Sequence, residues 1–186
     1  MFIIKDNYYL YIENTNDIDL NLIKNNKKIV IIYRGGNIKE KTKKIFEFRK
    51  SCRKKGFKFY ISNNLKLLKD CCADGLYISA FNKKIYLNRQ LNLIGSAHSF
   101  KEINQKLKQG CKTIFLSRLF KTSYKDKKGF LGIIKFNLIA SNYNFAIVPL
   151  GGIRATNLKM LNMVNSGGLA LLSEVKKKPV ITNRLF

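Results

Sequence analysis

The chain has 186 residues, of which 46% are hydrophobic, and this length and composition suit a single domain over residues 1–186 with a sizeable core. No run approaches the ~18 apolar residues of a membrane span, and Lys5 and Asp6 interrupt what would be the apolar core of a secretion signal, so we expect a soluble, cytoplasmic protein. The 36 Lys and Arg residues outnumber the 11 Asp and Glu residues, and the resulting net charge of +25 favours anionic ligands.

The first half of the chain alternates short apolar runs with amphipathic segments. Runs of strand length occur at 8–12, 28–34, 57–62 and 76–79. The second of these runs is rich in β-branched residues, which is typical of a strand that is buried on both faces. Helical spacing of apolar residues predicts helices at 17–24, 38–55 and 64–72, the first of them capped by Asn16 or Asp17.

The second half repeats the same alternation. Strands are predicted at 91–96, 111–117, 145–150 and 169–172, and helices at 99–109, 131–141 and 155–165. Ser99 with Glu102 three residues later has the pattern of a capping box at the start of a helix.

Eight predicted strands, nearly all followed by a helix, indicate an α/β fold with a parallel sheet. Eight such units favour closure into a small single-domain (β/α)8 TIM barrel. Because the chain is shorter than the ~250 residues typical of that fold, the helices must be short and the last one truncated. A doubly wound open sheet is the alternative, and it lacks support from a GxGxxG motif after the first strand.

Gly151 and Gly152 end the seventh predicted strand and precede a predicted helix. Backbone N–H groups at such a point face the positive end of the helix and suit a phosphate. In a parallel barrel the loops after the seventh and eighth strands form a phosphate site of this kind. The alternative is that the two glycines only make a tight turn.

The carboxyl ends of the predicted strands carry polar residues or glycine and no carboxylate. In a barrel this is where the chemistry lies, and the composition favours an anionic ligand over carboxylate-driven acid/base work. The residues are Arg34, Ser62, Asn63, Ser79, Asn82, Ser96, His98, Ser117, Thr122, Lys125, Gly151, Gly152 and Ser173. Arg34 follows five apolar residues, so we expect it at the mouth of the barrel. Lys125 and His98 each have a purely structural alternative. Lys125 could be a solvated charge in a lysine-rich loop, and His98 could be a partly buried structural histidine.

Cysteine spacing and charge distribution argue against two further classes of site. The four cysteines show no CxxC spacing and His98 is the only histidine, so we expect small buried apolar residues and no zinc site. The basic residues are spread over the whole chain, without the interleaved aromatic residues of a single-strand-binding surface. We therefore expect that nucleic acid is not the main partner, despite the net charge of +25.

In their order and spacing these segments resemble the thiamine phosphate synthase family, including its TenI-like thiazole tautomerase branch. The resemblance runs from about residue 8 to residue 175. It is carried by ADG at 73–75, GSAHS at 95–99, FKT at 120–122 continuing to Lys125 with Leu131-Gly132, LGGI at 150–153 and GGLA at 167–170.

The resemblance implies an enzyme of thiamine biosynthesis that joins an aminopyrimidine diphosphate to a thiazole phosphate, with Mg²⁺ as cofactor and release of pyrophosphate. It implies that the backbone at Gly151, Gly152 and Ser173 holds the thiazole phosphate, with Thr122 on the same side. It also implies that Arg34, Lys125 and Ser96 face the pyrophosphate, and that Ser62 and Asn63 contribute to substrate binding.

The chain departs from the family at the positions of the metal ligands. The family's Asn-Asp-Arg after the third strand is Ser62-Asn63-Asn64 here, and its aspartate after the fourth strand aligns with Asn82. A neutral amide is a poorer ligand for a hard divalent cation than a carboxylate. We therefore expect weak or no magnesium binding at Asn63 and Asn82, and weakened synthase activity.

Two other functions stay open. The tautomerase branch needs no metal and uses the histidine after the fifth strand to shift a proton on a thiazole carboxylate phosphate, and His98 occupies the matching place. The other is a non-catalytic protein that binds thiamine precursors or a polyanion. A truncated last helix would leave apolar barrel surface for a second copy of the chain, so a homodimer is a candidate assembly.

Overall fold

The computed structural model describes residues 5–23, 27–36, 40–86, 88, 90–122 and 129–171. Eight parallel strands close into a barrel in chain order, with the last strand paired to the first. The strands are β1 Asn7–Ile12, β2 Ile29–Tyr33, β3 Lys58–Ser62, β4 Gly75–Ile78, β5 Leu93–Ala97, β6 Thr113–Ser117, β7 Ala146–Leu150 and β8 Gly168–Leu171. The predicted (β/α)8 barrel is confirmed, and the open sheet is excluded.

Among the described residues, four α-helices lie between the strands and cover the outside of the barrel. They are α1 Thr42–Lys54, α2 Leu65–Asp70, α3 Phe100–Lys108 and α4 Gly132–Ser141. Each begins after the carboxyl end of one strand and returns the chain to the start of the next. No helix in the described part of the chain is long and apolar enough to cross a membrane.

The helices predicted at 17–24 and 155–165 are wrong in type. The first is replaced by two 3-10 turns, Thr15–Asp17 and Leu20–Leu22, and the second is a 3-10 segment, Ala155–Met163. In the first region the Asp17 carboxylate accepts the backbone N–H of Glu13 at 2.7 Å. Such local bonds from a side chain to the backbone compete with α-helical pairing, so the segment stays in short turns.

The barrel interior is filled by aromatic and β-branched side chains. Because successive strand residues point to opposite faces, one set packs outward against the helices and the other inward. The inward set includes Tyr9, Tyr11 and Phe115, whose rings meet edge to face, with centroids 4.8 Å apart for Tyr9 and Phe115 and 5.7 Å for Tyr11 and Phe115. This aromatic layer closes the barrel axis and forms a floor beneath the carboxyl ends of the strands.

The cysteines follow the expected pattern at three positions. Cys52, Cys71 and Cys111 are buried, and all four cysteines are free thiols. The prediction is wrong for Cys72, which is exposed because it lies in the turn after α2 with a φ of 49°. Among the described residues no group of three His, Cys, Asp or Glu side chains is placed to hold a metal ion.

Candidate functional site

A cavity of about 630 Å³ opens at the carboxyl ends of the strands, above the aromatic floor. Its lining combines aromatic rings, hydroxyl groups and two guanidinium groups. This volume is in the range of sites that bind small molecules. Seven of the residues predicted at the strand ends line it: Arg34, Ser79, Ser96, His98, Ser117, Thr122 and Gly151.

The remaining predicted site residues fall into two groups. Ser62, Asn63, Asn82 and Gly152 lie at the same end of the barrel, outside the cavity wall. Lys125 and Ser173 lie outside the described residues, so their predicted roles stay predictions.

Asn63 and Asn82, the positions that align with the metal-ligating aspartates, are bonded to each other. The side-chain amide of Asn82 donates to Oδ1 of Asn63 at 2.8 Å, and the backbone N–H of Ser79 donates to the same oxygen at 3.1 Å. The Asn63 amide in turn donates to Oγ of Ser79 at 3.0 Å and to Oγ of Ser62 at 3.3 Å. A φ of 54° at Asn63, a conformation that asparagine tolerates well, turns its side chain into this network.

This network does not fit a magnesium ion. Both amide carbonyl oxygens already accept hydrogen bonds, since Oδ1 of Asn82 takes the backbone N–H of Lys84 at 2.9 Å. Mg²⁺ prefers octahedral oxygen ligands and is usually held by one or two carboxylates. The two amides are neutral, and their oxygens already accept hydrogen bonds from N–H donors. They therefore offer neither the negative charge nor the free oxygen lone pairs that octahedral coordination of Mg²⁺ requires.

A buried lysine holds the loop that carries Asn82. Lys106 of α3 is fully buried, and its Nζ donates to the backbone oxygen of Asn82 at 2.7 Å and to Oε1 of Gln109 at 2.9 Å. The Gln109 amide donates to the backbone oxygens of Asn82 at 3.0 Å and Lys84 at 2.7 Å. Lys106 and Gln109 therefore fix the β4–β5 loop against α3, and Lys106 lies three residues after Ile103 on the buried face of this helix.

His98 lies just after β5, with its imidazole ring on the cavity wall. Its Nδ1 and Oγ of Ser117, at the end of β6, are 2.6 Å apart and share a hydrogen bond. The His98 backbone N–H donates to Glu102 of α3 at 2.7 Å, and Ser99 caps the same helix. Ring and backbone of His98 are thus both held, which suits a group that transfers a proton at its other ring nitrogen.

Arg118 lines the cavity and was not predicted as a site residue. It follows β6 directly, as Arg34 follows β2, and that matching position was a usable signal. Its Nη1 donates to Oγ1 of Thr122 at 3.2 Å. A Cβ atom added at Gly151 would lie 3.1 Å from Cγ of Arg118, so the stem of the arginine packs directly over this glycine.

Gly151 and Gly152 have different surroundings. Both have positive φ, 93° and 73°, a conformation that favours glycine. A Cβ atom at Gly152 would collide with the Phe120 carbonyl and lie 2.8 Å from the backbone oxygen of Lys121. The tight packing of the β6 loop accounts for Gly152, whereas Gly151 faces the cavity.

Tyr11 and Tyr77 form part of the cavity floor, and their hydroxyl groups differ in hydrogen bonding. The Tyr77 hydroxyl donates to Oγ of Ser96 at 2.8 Å. The Tyr11 hydroxyl is buried and has no hydrogen-bond partner within the described structure. Burial raises the pKa of Tyr11 well above its ordinary value, with a further contribution from neighbouring Tyr77, so the phenol stays neutral and able to donate.

Comparison with known proteins gives the chain's relatives. The sequence profile of the family described as "Thiamine monophosphate synthase" matches residues 6–175. The chain is 29% identical over 146 residues to a thiamine-phosphate synthase of Prochlorococcus marinus subsp. pastoris, covering 76% of this chain and 42% of that protein. It is 25% identical over 151 residues to a thiamine-phosphate synthase of Clostridium perfringens, covering 77% of this chain and 73% of that protein.

A solved structure shares the fold. The thiamine phosphate pyrophosphorylase from Pyrococcus furiosus superposes with a TM-score of 0.78 at 17% identity, covering 97% of this chain and 93% of that one. The chain thus spans nearly all of this structure but about two fifths of the length of the Prochlorococcus relative.

Proposed function

Because the chain belongs to the thiamine monophosphate synthase family, we propose that it joins an aminopyrimidine diphosphate to a thiazole phosphate, forming thiamine phosphate and pyrophosphate. The observation that carries the proposal is the cavity at the barrel mouth, which places Arg34 and hydroxyl groups above an aromatic floor. Such a lining suits two flat heterocycles that carry phosphate groups. The free cysteines agree with a reducing compartment such as the cytoplasm.

The reaction exchanges a carbon–oxygen bond for a carbon–nitrogen bond. The bond between the pyrimidine methylene carbon and the diphosphate breaks, and its electron pair leaves with pyrophosphate. The lone pair of the thiazole nitrogen then forms the new bond to that carbon, and the positive charge passes to the thiazolium ring. The residues of the site must therefore neutralise the leaving diphosphate and stabilise a transient pyrimidine cation.

The lining supplies both functions. The planar guanidinium of Arg34 matches a diphosphate in geometry and charge, and Ser96 offers a hydroxyl on the same cavity. The rings of Tyr11 and Tyr77 line the cavity and stand perpendicular to each other, and the face of an aromatic ring attracts a cation. The family's use of Mg²⁺ is not carried over to any step here, because the bonded amides of Asn63 and Asn82 do not fit the ion.

A second candidate is a thiazole tautomerase, which the 2.6 Å contact between His98 and Ser117 favours. A histidine held at Nδ1 on a cavity wall can move a proton through Nε2 on a bound thiazole carboxylate phosphate. This reaction releases no pyrophosphate, and so requires neither a metal nor Arg34.

The test is a turnover assay of the purified chain with the aminopyrimidine diphosphate and the thiazole phosphate, following thiamine phosphate, with Mg²⁺ or with a chelator. The proposal expects product, and persistence of product in the chelator would mean that side chains alone neutralise pyrophosphate. Product only with Mg²⁺ would retain the synthase but show that Asn63 and Asn82 still permit a metal site.

No product, with isomerisation of the thiazole carboxylate phosphate instead, would transfer the assignment to the tautomerase. If neither reaction occurs although thiazole phosphate binds, the chain is a non-catalytic relative. Arg34→Met is the internal control, since it should abolish the synthase reaction and leave a tautomerase reaction intact.

A further inference from the structure

We propose that the ammonium group of Lys106 replaces a divalent cation as the support of one cavity wall. In this role Lys106 is a positioning residue, which holds the β4–β5 loop from inside the protein where Asn63 and Asn82 do not fit Mg²⁺. The proposal goes beyond the proposed function, because it concerns how the wall is held and depends on neither substrate.

Lys106 occupies a space that its neighbours leave for a long side chain. The residue is fully buried. A Cβ atom at Gly95 of β5 would lie 2.9 Å from Cδ of Lys106, so the missing side chain at this glycine makes room for the lysine. Lys106 forms no ion pair with a carboxylate in the described part of the chain. A buried charge without such a partner is costly unless polar groups bond to it.

Two oxygen atoms accept hydrogen bonds from the ammonium group. They are the backbone oxygen of Asn82, 2.7 Å from Nζ, and Oε1 of Gln109, 2.9 Å from Nζ. Both are neutral carbonyl oxygens, a type of ligand that hard divalent cations also bind. Lys106 brings its positive charge on a helix of the protein itself, and therefore needs no carboxylate to retain it.

Hydrogen bonds connect this ammonium group to the cavity. The side-chain amide of Asn82 donates to Oδ1 of Asn63, directly after β3, at 2.8 Å. The backbone N–H of Asn82 donates to the oxygen of Ser79 at 3.0 Å, which closes the turn that carries Phe81. Ser79 and Phe81 line the cavity. Through Asn82, Lys106 thus joins α3, the β4–β5 loop and the end of β3.

The charges of this network agree with the proposal. Apart from Lys106 its side chains are neutral: Ser62, Asn63, Ser79, Asn82, Tyr86 and Gln109. A divalent cation at Asn63 and Asn82 would be repelled by the ammonium group. The lysine and the two amides are therefore mutually consistent, and a strong metal site requires that all three change.

The first test measures binding of Mn²⁺, used as a paramagnetic probe for magnesium sites, by electron paramagnetic resonance without substrate. The wild-type chain should show no stoichiometric site up to about 1 mM, the weak limit of protein sites built from oxygen ligands. Asn63→Asp combined with Asn82→Asp should create one site. Adding Lys106→Met to this pair should strengthen Mn²⁺ binding by about tenfold, because it removes a like charge. Adding Lys108→Met instead, which removes an exposed lysine of the same helix, should change the affinity by less than about threefold.

The second test measures amide hydrogen exchange by mass spectrometry in wild type and Lys106→Met. Exchange at 79–86 should become about tenfold faster in the variant, since it loses a hydrogen bond from a charged group. Exchange in α1 should change by less than about threefold, which separates a loosened loop from global destabilisation. Saturating Mn²⁺ should restore slow exchange in the variant that combines Lys106→Met with both aspartates, and should have no effect on Lys106→Met alone.

A Mn²⁺ site in the wild-type chain would overturn the proposal. So would aspartates that bind no Mn²⁺, or that bind it no better without Lys106. Unchanged exchange at 79–86 in Lys106→Met, or a bound Mn²⁺ that fails to slow it in the combined variant, would have the same meaning. None of these measurements uses a substrate, so a failure of the proposed synthase reaction would appear only in the turnover assay.

Discussion

At the scale of single residues, the two buried tyrosines in the floor of the cavity differ in the hydrogen bonding of their hydroxyl groups. Tyr11→Phe removes a hydroxyl that has no partner within the described structure, and Tyr77→Phe removes one that donates to Ser96. An unsatisfied buried group costs about 1–3 kcal/mol, whereas a formed hydrogen bond contributes about 1 kcal/mol. We expect the free energy of unfolding in urea to rise by about 1 kcal/mol for Tyr11→Phe and to fall by a similar amount for Tyr77→Phe. A larger loss for Tyr11→Phe than for Tyr77→Phe would contradict the assigned bonding.

A second prediction at this scale concerns the contact between His98 and Ser117. Because His98 is the only histidine, its ring nitrogens can be observed without ambiguity in ¹⁵N spectra of histidine-labelled protein. Ser117→Ala removes the partner 2.6 Å from Nδ1, so we expect a changed tautomer ratio, and a loss of about tenfold or more in any reaction that depends on proton transfer. Ser117→Thr, which restores a hydroxyl, should recover the wild-type spectrum. Identical spectra for wild type and Ser117→Ala would show that the contact does not set the tautomer.

At the scale of elements, α3 determines where the β4–β5 loop lies. Burial lowers the pKa of Lys106 from its ordinary 10.5, so the unfolded chain binds the proton more tightly than the folded one. Between the lowered pKa and 10.5 the Lys106 contribution to stability therefore rises with pH, and the cost of the buried charge is fully present below that interval. This direction is opposite to that of a lysine which gains an acidic partner.

The corresponding prediction compares the pH dependence of unfolding in wild type and Lys106→Met. The wild-type free energy of unfolding minus that of the variant should increase as pH rises toward 10.5, by at most about 1.4 kcal/mol per pH unit. The subtraction cancels the titration of the buried tyrosines and cysteines that do not interact with Lys106. Cys111, whose thiol interacts electrostatically with Lys106, is replaced by alanine in both proteins. Lys108→Met, an exposed lysine of the same helix, controls for the loss of one positive charge. A difference that falls with pH would mean that Lys106 is stabilised as an ammonium ion.

At the scale of the whole molecule, charge repulsion is the dominant electrostatic feature. Even if each of the 11 acidic residues paired with a basic one, 36 − 11 = 25 basic residues would have no acidic partner. Ion pairs such as Arg49 with Asp74 and Lys44 with Glu40 therefore neutralise only a small share of the excess. Like charges at this density oppose the compact state, and salt screens them.

We predict that sodium chloride stabilises the chain. Raising its concentration from 0.05 to 0.5 M should increase the melting temperature by about 2–4 °C, the shift that about 1 kcal/mol produces in a chain of this size. Differential scanning calorimetry measures it, with sucrose at matched osmolality as the uncharged control. A melting temperature that falls with salt would mean that attractive pairs outweigh the repulsion.

Thiazole phosphate affinity should change less over the same series than binding to DNA, which weakens steeply with salt.

Local sequence patterns predicted most of the barrel. Runs such as that of β2 are β-branched and of strand length, and glycine or a capping serine marks the ends of elements, as Ser99 does for α3. These signals depend on neighbours within a few residues, so they can be interpreted without the fold. The helix predicted at 17–24 was wrong for a local reason. The Asp17 carboxylate bonds to the backbone, and the same spacing of apolar residues is compatible with an α-helix and with short 3-10 turns.

The sequence by itself determined eight strands of a parallel barrel with polar, carboxylate-poor ends, because hydrophobic periodicity and turn residues act over short distances. Only the tertiary structure decided which of those ends share a cavity. Barrel closure sets Arg118 opposite Arg34, joins Asn63 to Asn82 and buries Lys106 against the β4–β5 loop. These pairs of residues lie 19 to 84 positions apart in the chain, and the distances between them depend on how the strands close, which no local pattern specifies.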